Sequence, residues 1–151
     1  QPVTSDLRKI VTVMKACADL ERMGDHAVSV AKSTIRVKGT KRVPKIEAEI
    51  AELSEKVKVM VEGVLEAYIK EDANKAKNLA TAINAIDFEF YEIYRQCIDE
   101  MKVDPELVLG ATDYMLVARY LKRMGDYVTN ICEWIVYLKT GKVVELNTSK
   151  H

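Results

Sequence analysis

Two carboxylates four residues apart, Glu21 and Asp25, lie in the phrase LERMGD, which returns as LKRMGD at Leu121–Asp126. On a helix that spacing puts both side chains on one face, where like charges cost about 0.2–0.5 kcal/mol unless a cation offsets them. Paired carboxylate oxygens suit a hard cation such as Mg²⁺, Mn²⁺ or iron better than a thiolate-seeking metal. Acidic pairs of this kind are also common on solvated helix faces, so the spacing leaves both readings open. In the second copy Lys122 stands where Glu21 stands in the first. Its ammonium, four residues before Asp126, brings the positive charge a metal would supply. Asn84 and Asp87 share a stripe on another segment and can face this position. Lys122, Asp126 and Asp87 are therefore expected to form a metal-free ionic cluster. Asn130 and Glu133 continue the polar stripe and offer oxygens for a weak cation site.

The remaining reactive side chains are few. His26 follows Asp25 but points ~100° away around the helix, which suits a surface or interface histidine better than a co-ligand. The other histidine is His151, and neither has a glutamate three residues before it, as di-iron carboxylate bundles require. Cys17, Cys97 and Cys132 are too far apart for a zinc-type pair, and each lies on or beside an apolar stripe, so buried thiols in a reducing compartment are expected. No Walker motif, dinucleotide-binding glycine fingerprint or nucleophile–histidine arrangement is present, which disfavours catalysis. Arg22 and Arg123 follow Glu21 and Lys122 and can contact an anion, although exposed helix arginines are the commoner case. Gly24 and Gly125 sit in mid-helix, where glycine costs ~1 kcal/mol relative to alanine. Their repetition calls for close packing of a neighbouring backbone, or for room around an ion.

These residues need long helices to hold them. Lys plus Arg equals Asp plus Glu, 23 against 23, so no basic excess points to nucleic acid or an anionic membrane. Charges interrupt every apolar run well short of the ~18 residues that span a bilayer. Gly39 to Pro44 forms one connection, Asp72 is placed to cap a helix at Ala73, and Asp104-Pro105-Glu106 is a strong helix start. Between these marks, steps of three and four align Ile46, Ile50, Leu53, Val57, Met60 and Val64 in 46–71. They align Leu79 to Cys97 in 73–102 and Tyr114 to Leu138 in 105–140. The segment 4–38 carries Val13, Ala16, Leu20, Met23, Ala27 and Val30. Helices of ~35 residues are ~50 Å long, and short loops fold them into antiparallel hairpins. Met14, Met23, Met60, Met115 and Met124 are expected in the core, and Trp134 with Tyr137 is expected to cover the end of the bundle or to anchor a partner.

The repeated phrase, the opening QPVTSDLR, DLERMGDHA and the closing RMGDYVTNICEWIVYLKTGK together resemble the PhoU family over essentially the whole chain. That resemblance implies an all-α fold of two tandem three-helix bundles, each closing with a helix that bears a Glu/Asp-x-x-x-Asp motif. On this basis 1–40 is the last helix of a first repeat, 41–141 is a complete second repeat with its three-helix bundle over 44–140, and 142–151 is a tail. Two helices of the first repeat would be missing, as in a truncated form or partial sequence. The orphaned face of 4–38 is expected to pair with the same helix of another molecule, or to fold onto the second bundle as a fourth helix.

The resemblance further implies metal at Glu21 and Asp25, and at Asp87 and Asp126, as Fe, Zn, Mg or Mn. In the family Asp87 and Asn84 correspond to acidic residues, and neutral Asn84 weakens that side. The implied function is regulation of phosphate uptake and phosphate-starvation signalling. The chain would act in the cytoplasm as a homodimeric adaptor between the ATPase of a phosphate ABC transporter and a sensor histidine kinase. It would not be an enzyme, would bind no nucleic acid and would insert in no membrane. The competing reading is a metal-binding helical-bundle oxidase or storage protein.

Overall fold

The structure is a computed structural model that describes residues 2–147. Its helices are Pro2–Val37 (α1), Pro44–Ile69 (α2), Ala73–Thr81 (α3), Ile83–Val103 (α4) and Val108–Thr140 (α5), with a 3₁₀ turn at Pro105–Leu107 leading into α5. No strand occurs among the described residues, so the all-α expectation holds.

Each boundary has a local cause. Pro44 opens α2, where its missing N–H costs nothing. The Asp72 carboxylate accepts from the Lys75 N–H at 2.9 Å, and the Asp104 carboxylate accepts from the Glu106 N–H at 3.0 Å. Gly141 closes α5 at φ 73°, a left-handed conformation that a Cβ would disfavour. The segment 73–102 is expected as one helix but is interrupted at Ala82. There the Ala82 N–H bonds to Leu79 O, three residues back, while φ and ψ stay right-handed at −65° and −20°. The break is a tightening of one turn rather than a reversal. The Thr81 hydroxyl donates to Asn78 O at 2.7 Å and competes for the same ladder.

Helix α5 is the axis of the molecule and packs against every other helix. Its partners run in fixed directions. Ile83 and Ile86 face Gly125 while Tyr94 meets Arg119, so α4 is antiparallel to α5. Glu47 meets Tyr114 and Glu71 meets Lys139, so α2 is parallel to it. The apolar stripes read from the sequence converge between these helices, with Leu53, Val64, Ile93, Cys97, Val128 and Ile135 fully buried. Burying one such aliphatic side chain stabilises the fold by about 1.5–3 kcal/mol. The connection at 38–43 crosses α5 at Gly110, where a Cβ would lie 2.7 Å from Lys41 O. The Tyr114 hydroxyl then fixes it by donating to Glu47 and accepting from the Val43 N–H.

Helix α1 packs on α5 alone, antiparallel to it, as His26 against Tyr120 and Arg36 against Asp113 show. It is thus a fourth helix laid on the outside of the bundle. Its buried face is rotated from the expected stripe. Ala16 and Met23 are buried and Leu20 and Val30 pack against the core as expected, but Thr12, Asp19, Ser33 and Val37 are buried with them, while Val13 is 46% exposed. Asp19 and Ser33 are bonded by Arg22 and Arg36 of the same helix, Arg36 also reaches Asp113 of α5, and Thr12 Oγ1 has no hydrogen-bond partner among the described residues. Local arginines rather than an apolar period thus set which residues face inward. Two further expectations fail on this helix. Cys17 and Met14 are exposed, whereas Cys97 and Cys132 are buried and burial pushes both thiols up to about 12.

The second face of α1 is unpartnered. Aligning Leu20 with Leu121 matches Ile10, Cys17, Gly24, Val28, Ala31 and Ile35 of α1 to Ala111, Ala118, Gly125, Thr129, Cys132 and Val136 of α5. All six α5 residues are buried and all six α1 residues are exposed. The duplicated helices are equivalent in sequence and unlike in cover.

Candidate functional site

The LKRMGD copy lies midway along α5, facing α4, and its polar side chains open into a groove of about 900 Å³. Asp87 and Lys122 stand opposite one another because the two helices run antiparallel. The Lys122 ammonium is 3.2 Å from Asp126 Oδ2, to which it donates, and 3.6 Å from Asp87 Oδ1. The Phe90 ring lies beneath it at 5.9 Å. Only 23% of the Lys122 side chain is exposed. Burial works against its charge, but Asp126 and Asp87 outweigh that and hold its pKa above the ordinary lysine value. Burial raises the Asp126 carboxyl, and Lys122 opposes the rise. Asp87 Oδ1 is buried without a hydrogen-bond partner among the described residues, so the ammonium is what compensates it. Asn84, Thr129, Asn130 and Glu133 line the same groove, and Glu145 and Asn147 approach from the segment after α5.

The LERMGD copy is placed differently. Glu21 and Asp25 are exposed on the unpartnered side of α1, with no second helix facing them. The four carboxylates Glu21, Asp25, Asp87 and Asp126 thus fall into two separate pairs. Among the described residues no three His, Cys, Asp or Glu side chains converge to hold a metal ion. The donor set fits a metal poorly at both places. At Glu21 and Asp25 the further ligands would have to come from outside α1, and at Asp87 and Asp126 an ammonium already stands between the carboxylates.

The opposite face of α1 carries polar residues that sequence reasoning missed. Asp19, 4% exposed, accepts from Arg22 at 3.1 Å. Burial raises its carboxyl, against the pull of Arg22, Asn130 and Lys15. Asp113, also buried, accepts from Arg36 Nε at 3.0 Å, and Arg36 donates a second bond to Ser33. The signal was available: Thr12, Asp19 and Ser33 share the helical register of Ala16 and Met23. His26 is an interface histidine, stacked between Tyr120 and Tyr127 with both ring centroids at 5.5 Å. Burial, and then Arg123, lower its pKa below the usual 6.5. The duplicated glycines have separate reasons. A Cβ on Gly125 would meet Ile83 Cδ1 at 2.8 Å, a side chain rather than the expected backbone, whereas a Cβ on Gly24 would meet nothing within 4 Å. Trp134 and Tyr137 pack edge to face at 5.5 Å, with the Lys15 ammonium above the indole.

A PhoU domain model matches residues 1–34 and 50–135. A phosphate-specific transport system accessory protein PhoU homolog of Clostridium acetobutylicum is 39% identical over 148 residues, covering 97% of this chain and 67% of the relative. The crystal structure of the phosphate transport system regulatory protein PhoU from Streptococcus pneumoniae superimposes with a TM-score of 0.86 at 34% identity, over 93% of this chain and 66% of that one. That of PhoU from Pseudomonas aeruginosa gives 0.86 at 32% identity, over 94% and 68%. The chain spans about two thirds of the length of these relatives.

Proposed function

Because this chain belongs to the PhoU family, we propose that it regulates phosphate uptake and phosphate-starvation signalling through protein contacts, without catalysis. Its partners on this reading are the ATPase of a phosphate ABC transporter and the cytoplasmic part of a sensor histidine kinase, which places it in the cytoplasm. The observation that carries the reading is the similarity to accessory and regulatory proteins of phosphate transport along nearly the whole chain. The geometry supports it. Long helical faces can accept a helix in a groove. No helix among the described residues is long and apolar enough to cross a membrane. The oxidase or storage reading gains nothing from the structure, since the His26 ring is engaged between Tyr120 and Tyr127.

The same reading gives α1 its place as the closing helix of a first repeat. The face of α5 equivalent to its exposed stripe is covered by α2, α3 and α4, and the relatives are about half as long again. A helical hairpin built like α2–α4 is the cover that this stripe fits. Pull-down of the chain, and of a form extended to the relatives' length, against the two partners tests the regulatory reading. Retention of either partner by the extended form is expected, and failure to retain both removes it.

A further inference from the structure

The two copies of the repeated phrase differ at one position that faces a site, and the difference reverses its charge. We infer that the second copy carries its own cation: the Lys122 ammonium takes the place of a divalent metal between Asp126 and Asp87, holding α4 to α5 and keeping metal out. This rests on the family reading only in so far as the family implies a metal there.

Three observations support it. The ammonium is within 3.2 Å of one carboxylate and 3.6 Å of the other, so it lies where an ion bridging the two would lie. It is largely shielded from solvent and lies over the Phe90 ring, which favours a monovalent organic cation and offers a metal no ligand. Asp87 Oδ1 is buried and otherwise unbonded, so the groove requires a positive charge at this point and Lys122 provides it. A divalent ion would sit about 2.0–2.2 Å from the carboxylate oxygens and would have to expel the ammonium to do so. The two carboxylates then share one ammonium, which offsets half of their charge without metal. The equivalent position in α1, Glu21, carries the opposite charge beside Asp25.

Mn²⁺ titration followed by electron paramagnetic resonance, on a chain carrying Asp25→Asn to silence the first copy, tests the inference. With Lys122 intact, the groove should take up no Mn²⁺, and the thermal midpoint should be the same in Mn²⁺ and in EDTA. Lys122→Glu in that background brings a third carboxylate to Asp87 and Asp126 and should raise Mn²⁺ affinity at least about tenfold. A further Asp126→Asn should abolish the gain. Should Lys122→Glu fail to fold, Lys122→Gln removes the ammonium without adding charge. Its thermal midpoint should fall, and Mn²⁺ should restore part of the loss. Mn²⁺ bound with Lys122 intact and lost on Asp126→Asn would overturn the inference. So would a folded Lys122→Glu or Lys122→Gln chain indifferent to Mn²⁺. Neither result depends on whether the transporter or kinase binds.

Discussion

Alanine at the two motif glycines should give opposite results, although the surrounding hexapeptides match at five positions. At Gly24 the new methyl has no neighbour within 4 Å. The substitution should then yield the helix-propensity difference alone, a stabilisation of about 0.8–1 kcal/mol. For a chain of this size that raises the thermal midpoint by about 2–4 °C. At Gly125 the same gain applies, but the methyl falls 2.8 Å from Ile83 Cδ1 and 3.5 Å from Ile86 Cδ1. An ordinary carbon contact is about 3.5–4.0 Å, so Ile83 must move by more than half an ångström. Ile83 is 1% exposed, so its side chain must repack among the buried neighbours it shares with Gly125. Overpacking of this kind costs about 1–3 kcal/mol, leaving Gly125→Ala neutral to about 2 kcal/mol destabilised. Urea and thermal unfolding of both variants would measure the gap. Ile83→Val deletes the clashing Cδ1, so combining it with Gly125→Ala should show a favourable coupling of about 0.5 kcal/mol or more. Equal shifts at the two glycines, or strict additivity with Ile83→Val, would refute the account.

Other consequences concern the contact between α1 and α5. Because burial and Arg123 depress the His26 pKa below 6.5, the unfolded chain takes up a proton first on acidification. Stability present above pH 6.5 should therefore be lost as pH falls through the folded value, then level off. His26→Phe, which keeps the stack on Tyr120 and Tyr127, should flatten that part of the urea-midpoint profile. Arg36→Met keeps the aliphatic stem but strips Asp113 and Ser33 of their donor. A loss of about 1–2 kcal/mol is expected, with partial recovery on adding Asp113→Asn; an unchanged midpoint would contradict the role given to this cluster.

Helix content, the connections and the core of α2–α5 were legible in the sequence because caps, breakers and heptad spacing act locally. Asp72, Pro44, Asp104 and Gly141 do in the structure what their chemistry requires. The interruption at Ala82 was not legible, since it depends on a hydroxyl competing for one carbonyl within a continuous apolar register. The charge reversal at Lys122 was visible as a residue type. Its placement between Asp126 and Asp87 required α4 to run back along α5 in one particular register.

Helix α1 marks the boundary most clearly. Its apolar period puts Val13, Ala16, Leu20, Met23, Ala27 and Val30 on the face expected to be buried. The fold buries Ala16 and Met23 but turns Thr12, Asp19 and Ser33 inward beside them and leaves Val13 and Ala27 exposed, with Arg22 and Arg36 of the same helix bonding Asp19 and Ser33. A repeated phrase fixes which side chains are equivalent. What surrounds each copy is a matter of which helices reach it: α4 brings Asp87 to Lys122 and Asp126, and no helix among the described residues brings a partner to Glu21 and Asp25.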